Sequence, residues 1–120
     1  MASILIIDDV TANLDLMANL LRAAGHAVRT TTDGAAGLAV AREARPDLIL
    51  CDIQMPGMGG IEVITQLRGD SQLHTLRVVA VTALTMIGAR ESLLASGFDG
   101  YLEKPVDSAT FVREVEKYLK

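Results

Sequence analysis

Ser3-Ile4-Leu5-Ile6-Ile7-Asp8-Asp9 sets an unbroken apolar run against two acids. The run falls short of the about ten residues that a helix needs, and its isoleucines suit a strand buried on both faces. A strand of that kind needs others beside it and helices above and below, so the same pattern has to recur along the chain.

It does recur. Leu48-Ile49-Leu50-Cys51 and Val78-Val79-Ala80-Val81-Thr82 read as two more buried strands, and Val28 to Thr31 and Tyr101 to Glu103 as shorter ones. Between them the apolar period changes to that of helices. Leu14, Met17, Leu20, Leu21 and Ala24 form the first stripe, stopped by Gly25. Asp33 caps a second helix that runs through Arg45 to the block at Pro46. Asp52 through Gly60, with Pro56, Gly57, Gly59 and Gly60, reads as a mobile loop, followed by a helix over Ile61 to Arg68. Ile87 to Ser96 is a fourth helix with Gly97 as its stop. Asp107 or Ser108 caps the last one, with Phe111, Val112, Val115 and Leu119 inward and Arg113, Glu114, Glu116 and Lys117 in water. Strand and helix thus alternate through the chain. The fold class is α/β, a doubly wound five-stranded parallel sheet with five helices, joined by right-handed crossovers.

Composition agrees. The 120 residues suffice for one domain spanning the chain, and 50% hydrophobic against 22% charged residues excludes a disordered chain. No run of about 18 apolar residues is present for a membrane span. Lys and Arg number 11 against 15 Asp and Glu, a net charge of −4, and without a basic cluster direct nucleic-acid binding is disfavoured. The apolar start lacks a cationic flank and Cys51 is the single cysteine, so no signal peptide or internal disulfide is expected and the compartment reads as cytoplasm. His26 and His74 fall near turns and read as surface residues.

In an open parallel sheet the chemistry gathers at the carboxyl ends of the strands. Those ends deliver Asp8 and Asp9, Thr31 and Thr32, Asp52, Thr82, and Lys104 before Pro105. Three carboxylates brought together repel unless one takes a proton or a hard, oxygen-seeking cation compensates them. Mg2+ is the natural candidate. Asp9 and Asp52 suit direct ligation, Asp8 a role through water or in orienting the set, and the backbone carbonyl of Gln54 is a further donor. With that charge offset, a carboxylate oxygen becomes a nucleophile toward phosphorus, and Asp52 is the best placed. Lys104 then balances the phosphoryl oxygens, the Thr82 hydroxyl donates to one of them, and the small Ala83 leaves access open.

Asp8-Asp9, Asp52-Ile53-Gln54-Met55-Pro56, Thr82-Ala83, Tyr101 and Lys104-Pro105, in this order and at these intervals, resemble the receiver domain of bacterial two-component response regulators, of the chemotaxis-regulator type. The resemblance spans nearly the whole chain and implies a flavodoxin-like sheet order 2-1-3-4-5. It implies Mg2+-dependent transfer of a phosphoryl group from a histidine kinase or histidine phosphotransfer protein to Asp52, then slow hydrolysis. The domain would catalyse its own phosphorylation and dephosphorylation without being a metabolic enzyme. It also implies that Thr82 and Tyr101 move together and alter the face of helix four, strand five and helix five that binds a downstream protein. Such proteins usually have a cis bond before the proline at the position of Pro105. Gly59-Gly60 departs from the family, which often has a polar residue before the second glycine, and a looser loop is expected. Gln54 and Leu84 border the path of attacking water.

Three rival functions share parts of this pattern. A phosphohydrolase of the haloacid-dehalogenase type needs a second acid where Gln54 stands. A nucleotide or flavin binder needs a glycine loop where Asp8-Asp9-Val10 would repel phosphate. An inactive interaction module would lack one of the acids or the lysine. With no output domain after Lys120 the expectation is a stand-alone regulator, with a domain excised from a hybrid histidine kinase as the alternative. Dimer formation on phosphorylation stays open.

Overall fold

The computed structural model describes residues 2–83 and 89–119, so Leu84 and Ile87 lie outside the described residues. Five strands alternate with five helices: β1 Ser3–Ile7, α1 Thr11–Ala23, β2 Ala27–Thr31, α2 Gly34–Ala44, β3 Leu48–Asp52, α3 Gly60–Gly69, β4 Val78–Thr82, α4 Ala89–Ser96, β5 Gly100–Glu103 and α5 Phe111–Lys117. The sheet is parallel throughout, in the order β2-β1-β3-β4-β5.

Alternation along β1 divides the core in two. Leu5 and Ile7 join Leu38, Ile49, Val63, Ile64, Leu67 and Leu93 under α2, α3 and α4. Ile4 and Ile6 join Leu14, Met17, Leu21, Leu50, Phe111 and Val115 under α1 and α5. β3 and β4 are buried along their whole length, as the apolar runs predict. β2 is different: it forms a sheet edge and is mostly exposed. No helix among the described residues is long and apolar enough to cross a membrane.

Helix boundaries follow local chemistry. The Asp33 carboxylate accepts the Ala36 N–H at 2.8 Å and caps α2 as expected. That helix closes at Ala44, one residue before the expected end, because Arg45 turns left-handed at φ 44° ahead of Pro46. Gly25 (φ 94°) and Gly97 (φ 116°) follow α1 and α4 in the conformation that favours glycine. The expectation for α5 needs correction. Asp107 caps a turn instead of the helix: its side chain accepts the Ala109 N–H at 2.9 Å and its carbonyl accepts the N–H groups of Thr110 and Phe111. Residues 108–110 are thereby held in a turn, and α5 begins at Phe111 with no side-chain cap.

Candidate functional site

Strand register assembles the acids. Ile7 lies opposite Cys51, so the next step along each strand sets Asp8 beside Asp52. Asp52 in turn pairs with Val81, and Thr82 with Glu103, which carries the sequence of strand ends on to Lys104. Asp8, Asp9 and Asp52 each present a carboxylate oxygen, all within 4.8 Å of one another. Asp8 is fully buried, Asp52 is 5% exposed and Asp9 is half-buried.

Among the described residues, one cation faces them. Lys104 Nζ lies 2.9 Å from Asp8 Oδ2 and 3.3 Å from Asp52 Oδ2. Asp8 does not cap α1; its Oδ1 accepts the Val10 N–H at 2.9 Å, which fixes the carboxylate as the chain leaves β1. Gln54 N–H donates to Asp52 Oδ1 at a long 3.4 Å. Burial pushes the Asp52 carboxyl up and Asp8 adds to the rise, against the opposing pull of Lys104. Burial would draw Lys104 down, but the ion pairs with Asp8 and Asp52 outweigh it and hold the ammonium charged above its ordinary range. The neighbouring Cys51 thiol is pushed up to about 12, chiefly by burial, and is packing material.

The charge at the strand ends is unbalanced: among the described residues, three carboxylates share one ammonium. Asp9 Oδ1 is buried with no hydrogen-bond partner among the described residues, and Asp8 Oδ2 has only the ammonium. An all-oxygen donor set with an orphaned carboxylate oxygen fits a hard divalent cation.

The loop after Asp52 is shaped by one close approach. Gly60 donates its N–H to the Ile53 carbonyl at 3.0 Å, and a Cβ there would stand 2.5 Å from the Asp52 carbonyl oxygen. The looser loop expected of Gly59-Gly60 is thus tightly packed at its second glycine, which opens α3 instead of belonging to the loop.

Other expected residues fall elsewhere. Thr82 is buried at the end of β4, and its carbonyl accepts the Lys104 N–H at 2.9 Å. The peptide bond between Lys104 and Pro105 is cis. Thr31 keeps its hydroxyl near the Asp33 carbonyl, and Tyr101 is half-buried against the α2, α3 and α4 side of the core. His74 is exposed as expected, but His26 is not a surface residue: its side chain is 9% exposed. His26 Nδ1 accepts the Ala2 N–H at 3.2 Å, so Nε2 carries the proton and donates to Glu116 Oε2 at 2.9 Å. Glu116, its side chain 44% exposed and so in water as expected, also ties α5 to the start of β2. Arg68 was also missed, since its partners are scattered along the chain: it donates to the carbonyls of Gly97, His74 and Leu76 and pairs with Asp99 at 3.0 Å.

Comparison with known proteins matches this geometry. Residues 4–116 fit the family model described as response regulator receiver domain. The chain is 38% identical over 117 residues to the polar-differentiation response regulator DivK of Brucella anthropi, covering 98% of this chain and 95% of that protein. Among solved structures it is similar to the chemotaxis response regulator CheY4 of Vibrio cholerae, with a TM-score of 0.91, 31% identity and 98% of both chains covered. It is also similar to the signal receiver domain of a signal transduction histidine kinase from Syntrophus aciditrophicus, with a TM-score of 0.87, 26% identity and 99% and 90% covered.

Proposed function

The chain belongs to the response regulator receiver domain family of two-component signalling, and from that premise we propose that it is a phosphoacceptor that carries the phosphoryl group on Asp52. The observation that carries this reading is the Lys104 ammonium lying between Asp8 and Asp52 beside the orphaned Asp9 oxygen. An ammonium so placed meets both the attacking carboxylate and the oxygens of an arriving phosphoryl group.

An Asp52 carboxylate oxygen attacks the phosphorus of a phosphohistidine donor, on a histidine kinase or histidine phosphotransfer protein. The phosphorus–oxygen bond forms as the phosphorus–nitrogen bond breaks, and the imidazole leaves with the electron pair and takes up a proton. Lys104 offsets charge on the phosphoryl oxygens as a flexible point charge. The Thr82 hydroxyl donates to one of them. Asp8, Asp9 and Asp52, with the Gln54 carbonyl, would hold Mg2+, which when bound neutralises carboxylate and phosphoryl charge. Asp8, fixed by the Val10 N–H, keeps the acidic set in register.

Gln54 is exposed and offers no acid to activate water, which favours a lasting acyl phosphate over the rapid turnover of a phosphohydrolase. The product is then a state of the protein: Thr82 and Tyr101 shift together, and the face built by α4, β5 and α5 changes its affinity for a downstream protein. Polar differentiation and chemotaxis belong to two of the named relatives; this chain has cytoplasmic partners of its own.

Intact-protein mass after incubation with acetyl phosphate tests the reading. One Mg2+-dependent phosphoryl adduct on the wild type, absent from Asp52→Asn, is the expected result. No adduct on folded protein supplied with Mg2+ would leave an inactive interaction module.

A further inference from the structure

The sheet has two edges, β2 and β5, and they are finished differently. At β5, Gly100 and Leu102 are buried and the Tyr118 ring fills the space beside Gly100. β2 is open: Ala27, Arg29 and Thr30 are exposed. Its register with β1 runs unbroken from Ser3 opposite Ala27 to Ile7 opposite Thr31, and the strand has no bulge, proline or lysine to blunt it. Backbone hydrogen bonds settle which of its residues face β1. The Ala27 N–H donates to the Ala2 carbonyl at 2.9 Å and the Thr31 carbonyl accepts the Asp8 N–H at 3.1 Å, so residues 27, 29 and 31 turn to β1. Val28 and Thr30 alternate with them and turn their N–H and C=O groups outward. The Val28 carbonyl accepts a bond from the Arg22 guanidinium, in the last turn of α1, at 3.0 Å. Arg22 and Arg29 are both exposed, and neither forms an ion pair among the described residues.

We infer that the open edge of β2 takes an extended acidic segment of a partner protein as a sixth strand. The inference goes beyond phosphoacceptor chemistry and does not depend on it, since this edge lies at the opposite end of the sheet from β5. An added strand finds outward backbone groups at Val28 and Thr30 to pair with its own. The Val28 carbonyl, though held by Arg22, keeps a second lone pair for a strand N–H. Charge complementarity selects an acidic occupant. A glutamate or aspartate directly across from Arg29 stands in the cross-strand position where opposite charges attract, and Arg22 brings a second cation to the same edge. In a chain of net charge −4, two unpaired arginines make this edge a local exception that steers acidic segments in. A second copy of the chain is disfavoured. The two-fold antiparallel register that uses both open residues sets Val28 against Thr30 and therefore Arg29 against Arg29, two like charges face to face. A helix is disfavoured as well, because its own ladder already uses the backbone groups that Val28 and Thr30 would need.

The test is a nuclear magnetic resonance titration of the isotope-labelled full chain with a peptide of alternating Glu and Thr and with its Lys/Thr counterpart. Amide shifts from the Glu/Thr peptide are expected to cluster on residues 27–31, with slowed hydrogen exchange at the Val28 and Thr30 N–H groups, and the Lys/Thr peptide is expected to produce neither. The Arg22→Gln/Arg29→Gln double variant is expected to weaken binding about tenfold. Arg22→Glu/Arg29→Glu is expected to exchange the preference and bind the Lys/Thr peptide. A further probe leaves the protein untouched: of two Glu/Thr peptides, one N-methylated at its threonines and one at its glutamates, one is expected to lose binding, because a strand turns only every second N–H to its neighbour. No shifts, shifts centred elsewhere, equal binding of the Glu/Thr and Lys/Thr peptides, unchanged affinity in the glutamine variant, retained binding by both methylated peptides, or self-association of the chain through β2 would overturn the inference.

Discussion

Burial and the neighbouring Asp8 work against a charge on Asp52, and removing that charge tests the effect directly. A carboxyl whose folded pKa is raised weakens the fold as pH climbs from the ordinary carboxylate range through the raised value. Metal-free Asp52→Asn is therefore expected to be more stable than the wild type at neutral pH, by about 1 kcal/mol, the order of one like-charge contact in water. Urea titrations across pH should show the gap closing at about pH 3, where the wild-type carboxyl is protonated in both states. Lys104 carries the opposite signature. Its raised folded pKa gives a contribution fully present below the ordinary lysine range and lost as pH rises through the folded value. The advantage of wild type over Lys104→Ala should be flat up to about pH 10 and shrink beyond it. Lys104→Ala is also expected to accept the phosphoryl group while failing to pass the change to the partner-binding face. Asp9→Ala, which removes the orphaned oxygen, should weaken Mg2+ binding at least tenfold and so lower the Mg2+-dependent rise in stability by about 1.4 kcal/mol. An unchanged thermal response to Mg2+ would rule Asp9 out as a ligand. All these residues were legible in the sequence because each stands where an apolar run ends, and strand ends are where a parallel sheet exposes side chains.

At the scale of elements, what was legible was whatever one segment decides for itself. Buried strands announced themselves as apolar runs, and α2 by its aspartate cap. The start of α5 was misread because Asp107, a good helix cap in isolation, spends its side chain and carbonyl on the turn before the helix. The tie between His26 and Glu116 joins residues 90 apart, and no local pattern marks it. Contact between elements also decides which glycines matter. Gly60→Ala forces a Cβ against the Asp52 carbonyl and should cost about 1–3 kcal/mol while slowing phosphorylation. Gly69→Ala meets nothing within 4 Å at the end of α3 and should be neutral or stabilise by up to about 1 kcal/mol. Equal effects of the two in chemical denaturation would show that the close approach at Gly60 is not a constraint.

For the whole molecule, the sheet is a partition. Met17 packs only in the cluster under α1 and α5, and Leu38 only in the cluster under α2, α3 and α4. Met17→Ala and Leu38→Ala should each cost about 2–5 kcal/mol, and the double variant should cost their sum to within about 0.5 kcal/mol. A deviation of more than about 1 kcal/mol in the denaturation midpoint analysis would show that strain crosses the sheet. If the costs add, the two sides keep separate histories: substitutions on the side of α1 and α5 accumulate and are compensated there, without waiting for changes beneath α2, α3 and α4. Lineages descended from one ancestor could then diverge on one side while the other stays as it was inherited.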